Sequence, residues 1–345
     1  MRLPDRLPGN LTIIGVDVGG TKTAVVEGSA RAEILRREEI ATEASRPFDE
    51  TFPRIAGLMK NAIHVARQSN REVIAISVSI GGPLKITEGV LIDPPHLPGW
   101  RGVRLKERLT KVFQNLPVFV EHDGNAGALA EFHFGAGKGR DDLRHLVFLT
   151  FGTGLGAGLI VNGQVLRGAT DTAGEVGHLR LAWEGPTGFG KAGSWEGFAS
   201  GKGLVELAST MFPRRWPRES PISEVVKAML ADDPRALEVA AEAGKWMGRG
   251  MALLVDTLNP QMIVLGSLAV VLGDRVLAPA RQALAEEALP QAVAACEITP
   301  AKLGKRIGDV AALMAALSDE EIRARLRSDQ NAEQTEMDGT GGEIQ

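Results

Sequence analysis

A glycine-rich turn after an apolar run, in the segment GVDVGGTK at 15–22, has residue types that suit phosphate binding. Consecutive glycines let backbone N–H groups approach a phosphate without interference from a Cβ atom, and an aspartate at a strand end can hold a metal-bound water. No helix follows the turn and the spacing is not that of a Walker loop, so neither a dinucleotide fingerprint nor a P-loop is indicated. An ordinary glycine hairpin is the alternative. The residues predicted to bind nucleotide here are Asp17, Gly19, Gly20, Thr21 and Lys22.

A second glycine-rich turn lies between β-type runs in LTFGTGLGAGLIVNG at 149–163. Thr153, between Gly152 and Gly154, offers a hydroxyl group and several N–H donors to a phosphate. Two such turns in different halves of the chain are what a nucleotide clamped between two similar domains requires. The pair therefore favours a kinase over two ordinary hairpins.

Carboxylates suited to proton transfer and sugar binding follow these turns. In EHDGNAGALAE at 121–131, Asp123 ends an apolar run and starts a predicted helix, where it could accept the proton of an attacking hydroxyl or simply cap the helix. Glu175 and His178, three apart in GEVGHLRL, and Glu196 after a loop could pair with sugar hydroxyls, which are costly to bury without partners. A structural histidine and a solvated loop charge are the alternatives for His178 and Glu196.

The elements that must position these residues are alternating strands and helices, which indicate an α/β class. Long loops rich in Pro and Gly, at 81–102 and 185–203, are natural places for substrate contacts. The predicted strands are 11–18, 73–80, 118–121, 146–151, 157–161 and 262–266. The predicted helices are 49–69, 202–212, 222–231, 235–257, 274–288 and 307–325.

The amino-acid composition indicates which kinds of binding partner the chain is expected to lack. The 345 residues are 44% hydrophobic, enough for a sizeable core in one large domain or two, and the net charge of -4 gives no basic stripe for nucleic acid. No run of eighteen apolar residues and no apolar leader occur, so we expect no membrane partner and a cytoplasmic location. Cys296, the single cysteine, excludes an internal disulfide and is interpreted as a buried small hydrophobe. The polar stretch 328–345 is predicted to be a disordered tail.

Taken in order, these segments resemble the ROK family of bacterial repressors and sugar kinases, which belongs to the actin, hexokinase and heat-shock-chaperone ATPase superfamily. The resemblance runs from about residue 11 to 320. It implies an α/β, two-domain actin-like ATPase fold, related to ribonuclease H, with an interdomain cleft. The first domain is expected at 11–120 with about 305–326, and the second at 121–304.

The resemblance also implies roles for particular residues. Asp123 becomes the catalytic base, Asp17 helps to position Mg²⁺ and the phosphates of ATP, and Gly266 lies near the adenosine site. A homodimer is a further implication, as is closure of two lobes around a hinge. The residues implied to bind sugar are Gly81, Gly82, His122, Asn125, Glu175, His178 and Glu196.

Three departures from the family pattern concern this site. Residues 187–196, TGFGKAGSWE, stand where relatives carry a cysteine-rich zinc signature, and since all three cysteines are missing we predict no zinc. His122 replaces the asparagine that usually precedes the catalytic aspartate. The segment LGSL at 265–268 replaces LGGG, which puts a Cβ atom where backbone commonly approaches the nucleotide.

Three functional hypotheses follow. The leading one is a kinase that uses ATP and Mg²⁺ to phosphorylate a hexose or N-acetyl-hexosamine. A sugar-sensing pseudokinase is the alternative, and an actin-like or chaperone-like ATPase is a third class that would lack the cluster of Glu175, His178 and Glu196. Only residues 1–10 precede the first strand, so we expect no helix-turn-helix repressor domain.

Overall fold

A five-stranded sheet forms the centre of the first of two structural units in a computed structural model that describes residues 10–327. Its strand order is β3-β2-β1-β4-β7: the first three strands form an antiparallel meander, and the last two add in parallel. Those strands are β1 (Leu11–Val18), β2 (Lys22–Ser29), β3 (Ile34–Ala41), β4 (Glu72–Ile80) and β7 (Val118–His122). The short strands β5 (Leu84–Lys85) and β6 (Val90–Leu91) pair separately.

Helices cover both faces of this sheet, which explains why β1 and β4 are almost continuously apolar and buried. On one face, α1 (Phe48–Gln68) packs with α2 (Leu105–Val112) around a core that includes Met59 and Trp100. The other face carries α3 (Asp123–Phe134) and α11 (Ile307–Leu317). Burying a side chain such as Met59 contributes about 1.5–3 kcal/mol.

The second unit repeats the same plan, with strand order β10-β9-β8-β13-β14, an antiparallel part followed by parallel strands. Helices α7 (Pro234–Leu258) and α9 (Asp274–Glu287) pack closely against each other. A large apolar core includes α5 (Gly201–Met211), α6 (Ile222–Leu230) and the fully buried Trp195. The strands are β8 (Leu146–Phe151), β9 (Leu155–Val161), β10 (Gln164–Val165), β11 (Thr187–Gly188), β12 (Lys191–Ala192), β13 (Met262–Leu265) and β14 (Glu297–Pro300). The helices are α4 (Trp195–Phe198), α5 (Gly201–Met211), α6 (Ile222–Leu230), α7 (Pro234–Leu258), α8 (Leu268–Leu272), α9 (Asp274–Glu287) and α10 (Pro290–Ala295).

The division between the units differs from the predicted one. The first unit comprises described residues 10–134, 168–171 and 305–327, and the second comprises 135–167 and 172–304. Residues 121–134, assigned from the sequence to the second domain, fall in the first because β7 pairs with β4 and α3 packs on α11. The segment 168–171 joins it as well, since the Asp171 carboxylate accepts a hydrogen bond of 2.9 Å from the Ile86 N–H.

Most predicted elements are confirmed, with ends shifted by a few residues at most. The helix predicted at 307–325 is wrong in one respect, because α11 ends at Leu317 and another helix covers 320–327. Asp319 starts that second helix by accepting hydrogen bonds from the N–H groups of Glu321 and Ile322. The predicted loops also contain short elements, namely β5 and β6 in the loop at 81–102 and β11, β12 and α4 in the loop at 185–203.

The tail predicted at 328–345 lies outside the described residues. Among the helices that the structure describes, none is long and apolar enough to cross a bilayer.

Candidate active site

The first glycine turn connects β1 to β2 and is held by one buried threonine. The Gly19 N–H donates to the Lys22 carbonyl at 3.0 Å, and the Thr42 N–H donates to the Thr21 carbonyl at 3.0 Å. The Thr42 hydroxyl donates to the Gly19 carbonyl at 2.7 Å, so the 2.8 Å bond to Thr23 must use the Thr23 hydroxyl as donor. Thr42 is fully buried and was not singled out from the sequence, because it lies more than twenty residues from the turn and reaches it only through the pairing of β2 with β3.

Gly20 and Lys22 have defined neighbours in this turn. A Cβ atom on Gly20 would lie 2.8 Å from the His96 carbonyl oxygen, so only glycine allows the backbone to run this close. The Lys22 ammonium forms an ion pair of 3.0 Å with Glu39. The backbone of the turn is thus fixed, while the Lys22 side chain already has an anionic partner.

Asp17, at the end of β1, lies among other carboxylates. Burial, reinforced by the negative charges of Asp123 and Asp309, raises the pKa of Asp17 to about 6. Arg37 opposes this rise only partly, since its guanidinium donates to Asp309 at 2.9 Å. Asp309 is a site neighbour that the sequence did not reveal, because it belongs to α11, nearly three hundred residues after β1.

Asp123 is the first residue of α3, and its side chain is 53% exposed. One carboxylate oxygen, Oδ1, accepts the Gly124 N–H at 2.7 Å, and a Cβ atom on Gly81 would lie 3.6 Å from the other oxygen, Oδ2. The carboxylate therefore supports the start of the helix while remaining accessible. This geometry is compatible with both interpretations of Asp123, helix capping and proton acceptance.

His122 has an orientation set by the backbone. Its Nδ1 atom lies 3.2 Å from the Gly124 nitrogen, whose N–H group is shared with Asp123 Oδ1, and 3.4 Å from that carboxylate oxygen. The ring lies against Gly82, where a Cβ atom would come within 2.7 Å of the His122 Cδ2 atom. His122 thus presents an imidazole ring beside Asp123, a different hydrogen-bonding group from the asparagine amide of the family pattern.

Asn125, in the first turn of α3, is 1% exposed and follows the buried Glu121 of β7 by four residues. Its amide Nδ2 donates to Glu121 Oε1 at 3.0 Å, which fixes the orientation of the amide group because a carboxylate can only accept. Within the described part of the chain, the Asn125 Oδ1 atom has no hydrogen-bond partner. A buried acceptor without a donor is costly, so this atom suits a ligand hydroxyl or a water.

The second glycine turn, between β8 and β9, is held by other means. The Gly152 N–H donates to the Gly154 carbonyl at 3.1 Å, and the Gly152 carbonyl accepts the Gly201 N–H at 2.7 Å. Gly201 is the first residue of α5, so the positive end of that helix lies beside the turn. Thr153 is exposed at the tip. Such a turn favours an anionic group.

Glu196 supports the same turn from α4. Its Oε2 atom accepts the Leu155 N–H at 2.9 Å. A Cβ atom on Gly154 would lie 2.6 Å from that oxygen, so glycine is required for the carboxylate to approach. Glu196 is therefore a hydrogen-bonded side chain rather than the solvated loop charge considered as the alternative.

Glu175 directly precedes a short 3-10 turn at Val176–His178, and His178 is its last residue; the turn packs on β9 and α4. The His178 N–H donates to the Glu175 carbonyl at 3.2 Å. The His178 ring stacks on Phe189, with ring centroids 3.8 Å apart and an interplanar angle of 22°. The second unit thus brings His178 and Glu196 into one neighbourhood, through the turn between them.

Gly266 directly follows β13 and precedes a strained serine. Gly266 donates its N–H to the Leu149 carbonyl at 2.9 Å, while Ser267 has φ 46° and ψ −104°. This is a positive φ in a region that non-glycine residues rarely adopt. The Ser267 Oγ atom would be 3.7 Å from a Cβ atom on Gly152, which places it beside the second glycine turn.

The residues at the family's zinc positions do not suit zinc. Thr187, Phe189 and Ser194 offer no thiolate, and burial raises the pKa of Cys296 to about 12, which keeps that thiol protonated. No group of three or more His, Cys, Asp or Glu side chains among residues 10–327 could hold a metal ion. Magnesium needs fewer protein ligands, since it usually binds through one or two carboxylates together with substrate phosphates and waters. The desolvated Asp17 carboxylate fits that requirement.

Comparison of the sequence and the structure with those of known proteins identifies the family to which the chain belongs. The ROK family model matches residues 13–318. A glucokinase of Halalkalibacterium halodurans is 31% identical over 309 residues, covering 86% of this chain and 92% of the relative. The xylose repressor of Bacillus spizizenii is 28% identical over 295 residues, covering 85% and 73% respectively. The structure of a ROK family glucokinase of Streptomyces griseus in complex with glucose and AMPPNP aligns with a TM-score of 0.70 and 29% identity, covering 87% of this chain and 97% of that one. The chain belongs to the ROK family and has the actin-like ATPase fold of its sugar kinases.

Proposed function

We propose that the chain catalyses the ATP-dependent phosphorylation of a hydroxyl group of a hexose or N-acetyl-hexosamine. The observation that carries the proposal is the accessible Asp123 carboxylate at the start of α3, in the same unit as Asp17 and the first glycine turn. It is supported by similarity to a glucokinase at 31% identity and to a structure that contains glucose and AMPPNP.

Asp123 acts as the general base in this proposal. The Gly124 N–H orients the carboxylate through Oδ1, which leaves Oδ2, on the side of Gly81, to accept the proton of the attacking sugar hydroxyl. A base in this position contributes typically 10²–10⁴-fold to a rate. Magnesium, held through Asp17 and the phosphates, supplies neutralisation of the charge on the transferred phosphoryl group.

Each glycine turn binds phosphate groups of ATP in this proposal, through its backbone N–H groups and the hydroxyls of Thr21 and Thr153. Gly266 and its neighbour Ser267, beside the second turn, lie close to the rest of the nucleotide.

Sugar hydroxyls require several buried partners. The Asn125 Oδ1 atom is a buried acceptor ready for a hydroxyl donor, and the His122 ring offers a nitrogen to a further hydroxyl. Glu175, His178 and Glu196 bind further hydroxyls in this proposal. A site built on such partners discriminates strongly against sugars that lack one hydroxyl, because the protein group is then left unpaired.

The test is ADP release with Mg²⁺-ATP against a panel of hexoses and N-acetyl-hexosamines. Asp123→Asn is the decisive variant, and Asp274→Asn is its matched control, since Asp274 is also the first residue of a helix and its side chain is 81% exposed. We expect sugar-dependent turnover that Asp123→Asn lowers by about 10³-fold and the control leaves unchanged. Retention of the wild-type rate by Asp123→Asn would remove the role assigned to this carboxylate.

A sugar sensor without catalysis is the second candidate, and the similarity to a xylose repressor is the observation that favours it. Calorimetric titration with the same sugars separates the two functions. Binding of a sugar with no turnover in the presence of Mg²⁺-ATP would favour the sensor, whereas sugar-dependent ADP release would exclude it.

We further propose a homodimer in the cytoplasm with no nucleic-acid or membrane partner. Light scattering on the purified protein tests the dimer, and cell fractionation tests the location. ATP as the phosphoryl donor is checked in the same assay by offering other donors in its place.

A further inference from the structure

Two of the three positions that lack the family's zinc cysteines are occupied by Phe189 and Ser194. In this structure both side chains link the hairpin of β11 and β12 to its surroundings. Residues 186–197, which contain that hairpin and the start of α4, are called the clasp below.

Ser194 links the two ends of the clasp. Its hydroxyl oxygen accepts the N–H groups of Gly188 at 3.0 Å and Gly197 at 3.2 Å, and the hydroxyl group donates to the Gly188 carbonyl at 3.2 Å. Ser194 is completely buried, so water does not compete for these bonds. One hydroxyl therefore holds β11 against the start of α4.

Phe189 links the tip of the clasp to His178. The two rings stack at 3.8 Å, and Lys191 adds a second link by donating from Nζ to the His178 carbonyl at 2.7 Å. Phe189 has a positive φ of 52°, a conformation that costs free energy for this residue type. The stack is thus retained in spite of an unfavourable backbone.

Glu196 lies between the Ser194 hydrogen bonds and the stack of Phe189 on His178. A Cβ atom on Gly177 would lie 3.1 Å from Phe189 Cε2 and 3.3 Å from Glu196 Cβ, so the ring, the 3-10 turn and the base of the glutamate are in one packed group. Glu196 itself follows Ser194 by two residues and reaches the Leu155 N–H. A shift of the clasp would therefore move both His178 and Glu196.

We propose that Phe189 and Ser194 form a metal-independent replacement for the zinc site and act as positioning residues that set His178 and Glu196 for sugar binding. The positioning role rests on the proposed function, whereas the independence from metal does not. The stack joins the loop to His178 by ring contact, and the Ser194 hydroxyl closes the loop by hydrogen bonding.

The first experiment measures glucose and N-acetylglucosamine binding by calorimetry and, in parallel, KM and kcat. Phe189→Ala removes the stack at a side chain that is 44% exposed, so the fold should survive. Phe189→Tyr keeps an aromatic ring, and Trp183→Ala is the matched control, because Trp183 is an aromatic residue of the preceding segment that is 86% exposed.

We expect Phe189→Ala to weaken sugar binding and raise the sugar KM by about tenfold with much less change in kcat, since the sugar is then held less tightly in the ground state and the transition state alike. Phe189→Tyr should restore the wild-type values, and Trp183→Ala should match them. Equal affinity in Phe189→Ala and the wild type would overturn the positioning role.

A second experiment needs no substrate. Hydrogen exchange of the clasp amides should be faster in Phe189→Ala and in Ser194→Ala than in the wild type and in Trp183→Ala. Elemental analysis should find zinc well below one atom per chain, and a zinc-selective chelator should leave both exchange and sugar affinity unchanged. Stoichiometric zinc whose removal opens the clasp would overturn the proposal.

The two sets of results separate the possible failures. Absence of sugar binding by the wild-type protein contradicts the proposed function and the positioning role together, while the exchange and zinc data still decide whether the clasp is independent of metal. Sugar-dependent turnover with no effect of Phe189→Ala on affinity or exchange contradicts the clasp alone.

Discussion

The two glycine turns have the same plan but are stabilised by different groups. Each joins the first two antiparallel strands of a five-stranded sheet. The turn between β1 and β2 is held by the neutral hydroxyl of Thr42, whereas the turn between β8 and β9 is held by the Glu196 carboxylate and by the start of α5.

The surrounding charge differs as well. Next to the first turn, burial and the nearby negative charges of Asp123 and Asp309 raise the pKa of Asp17. Beside the second turn, one oxygen of the Glu196 carboxylate accepts a backbone N–H group, which leaves the other oxygen for a ligand hydroxyl. The same strand, turn and strand motif therefore lies among several carboxylates in one unit, where ionisation of Asp17 is disfavoured, and is supported by a hydrogen-bonded carboxylate in the other.

The largest expected effect is on the pH dependence of stability in Asp17→Asn. Because the pKa of Asp17 rises from 3.8 to about 6 on folding, its stabilising contribution is fully present below pH 3.8 and is lost as the pH rises through 6. Above pH 6 the ionised Asp17 costs the wild type about 3 kcal/mol that a neutral asparagine avoids. Asp17→Asn should thus gain stability over the wild type between pH 4 and pH 8.

Urea unfolding at pH 4, 6 and 8 measures this gain, with Asp274→Asn as the control that should show none. A constant difference between Asp17→Asn and the wild type across this range would contradict the electrostatic account of the first turn. Under the proposed function, Asp17→Asn should also lose most of its turnover. The ionised Asp17 carboxylate, which lowers stability above pH 6, is the group proposed to bind Mg²⁺-ATP.

The second prediction compares the supports of the two turns. Glu196→Ala leaves the Leu155 N–H without its charged acceptor, so the free energy of local opening should fall by about 2 kcal/mol. Thr42→Val, which keeps the shape but leaves the Gly19 carbonyl and the Thr23 hydroxyl unpaired, should cost the first turn about 1 kcal/mol.

Hydrogen exchange at Leu155 and in the first turn reports these local free energies. Glu196→Gln is the control for the second turn, because its amide oxygen can accept the same bond. If Glu196→Gln opened the turn as much as Glu196→Ala, the charge rather than the hydrogen bond would be the support.

The sequence predicted the parts of the site that are local in the chain. Asp17 and the first glycine turn are adjacent, so their chemistry follows from one segment, and the same holds for Gly152, Thr153 and Gly154. Alternating apolar runs predicted the strands that carry both turns, because burial on both faces leaves a strong pattern.

Contacts between distant segments could not be predicted in this way. Thr42 directly follows β3, a polar strand with no motif of its own, and its role depends on the register of β2 with β3. Asp309 reaches Asp17 because α11 packs on β1. The bond from Leu155 to Glu196 depends equally on how α4 packs on β9, which spacing alone does not reveal.

The smallest expected effect concerns Ser267, beside the second turn. Its φ of 46° and ψ of −104° suit glycine, so Ser267→Gly should raise the stability of the second unit by about 1 kcal/mol through relief of strain. Asn259→Gly is the matched comparison, because Asn259 also has a positive φ of 44° but with ψ 58°, a left-handed conformation that asparagine tolerates, and it should change stability less.

Ser267→Ala separates strain from the hydroxyl group, since alanine keeps the Cβ atom and the strain. Equal stability of Ser267→Gly and Ser267→Ala would show that the backbone conformation is not the source of the effect. Ser267→Gly should be more stable and yet have a higher KM for ATP if the Ser267 hydroxyl, beside Gly152, contacts the nucleotide. That result would explain why the wild-type protein keeps a serine in a strained conformation. The second turn would then resemble the first, with a local cost in stability at the residue that contacts the ligand.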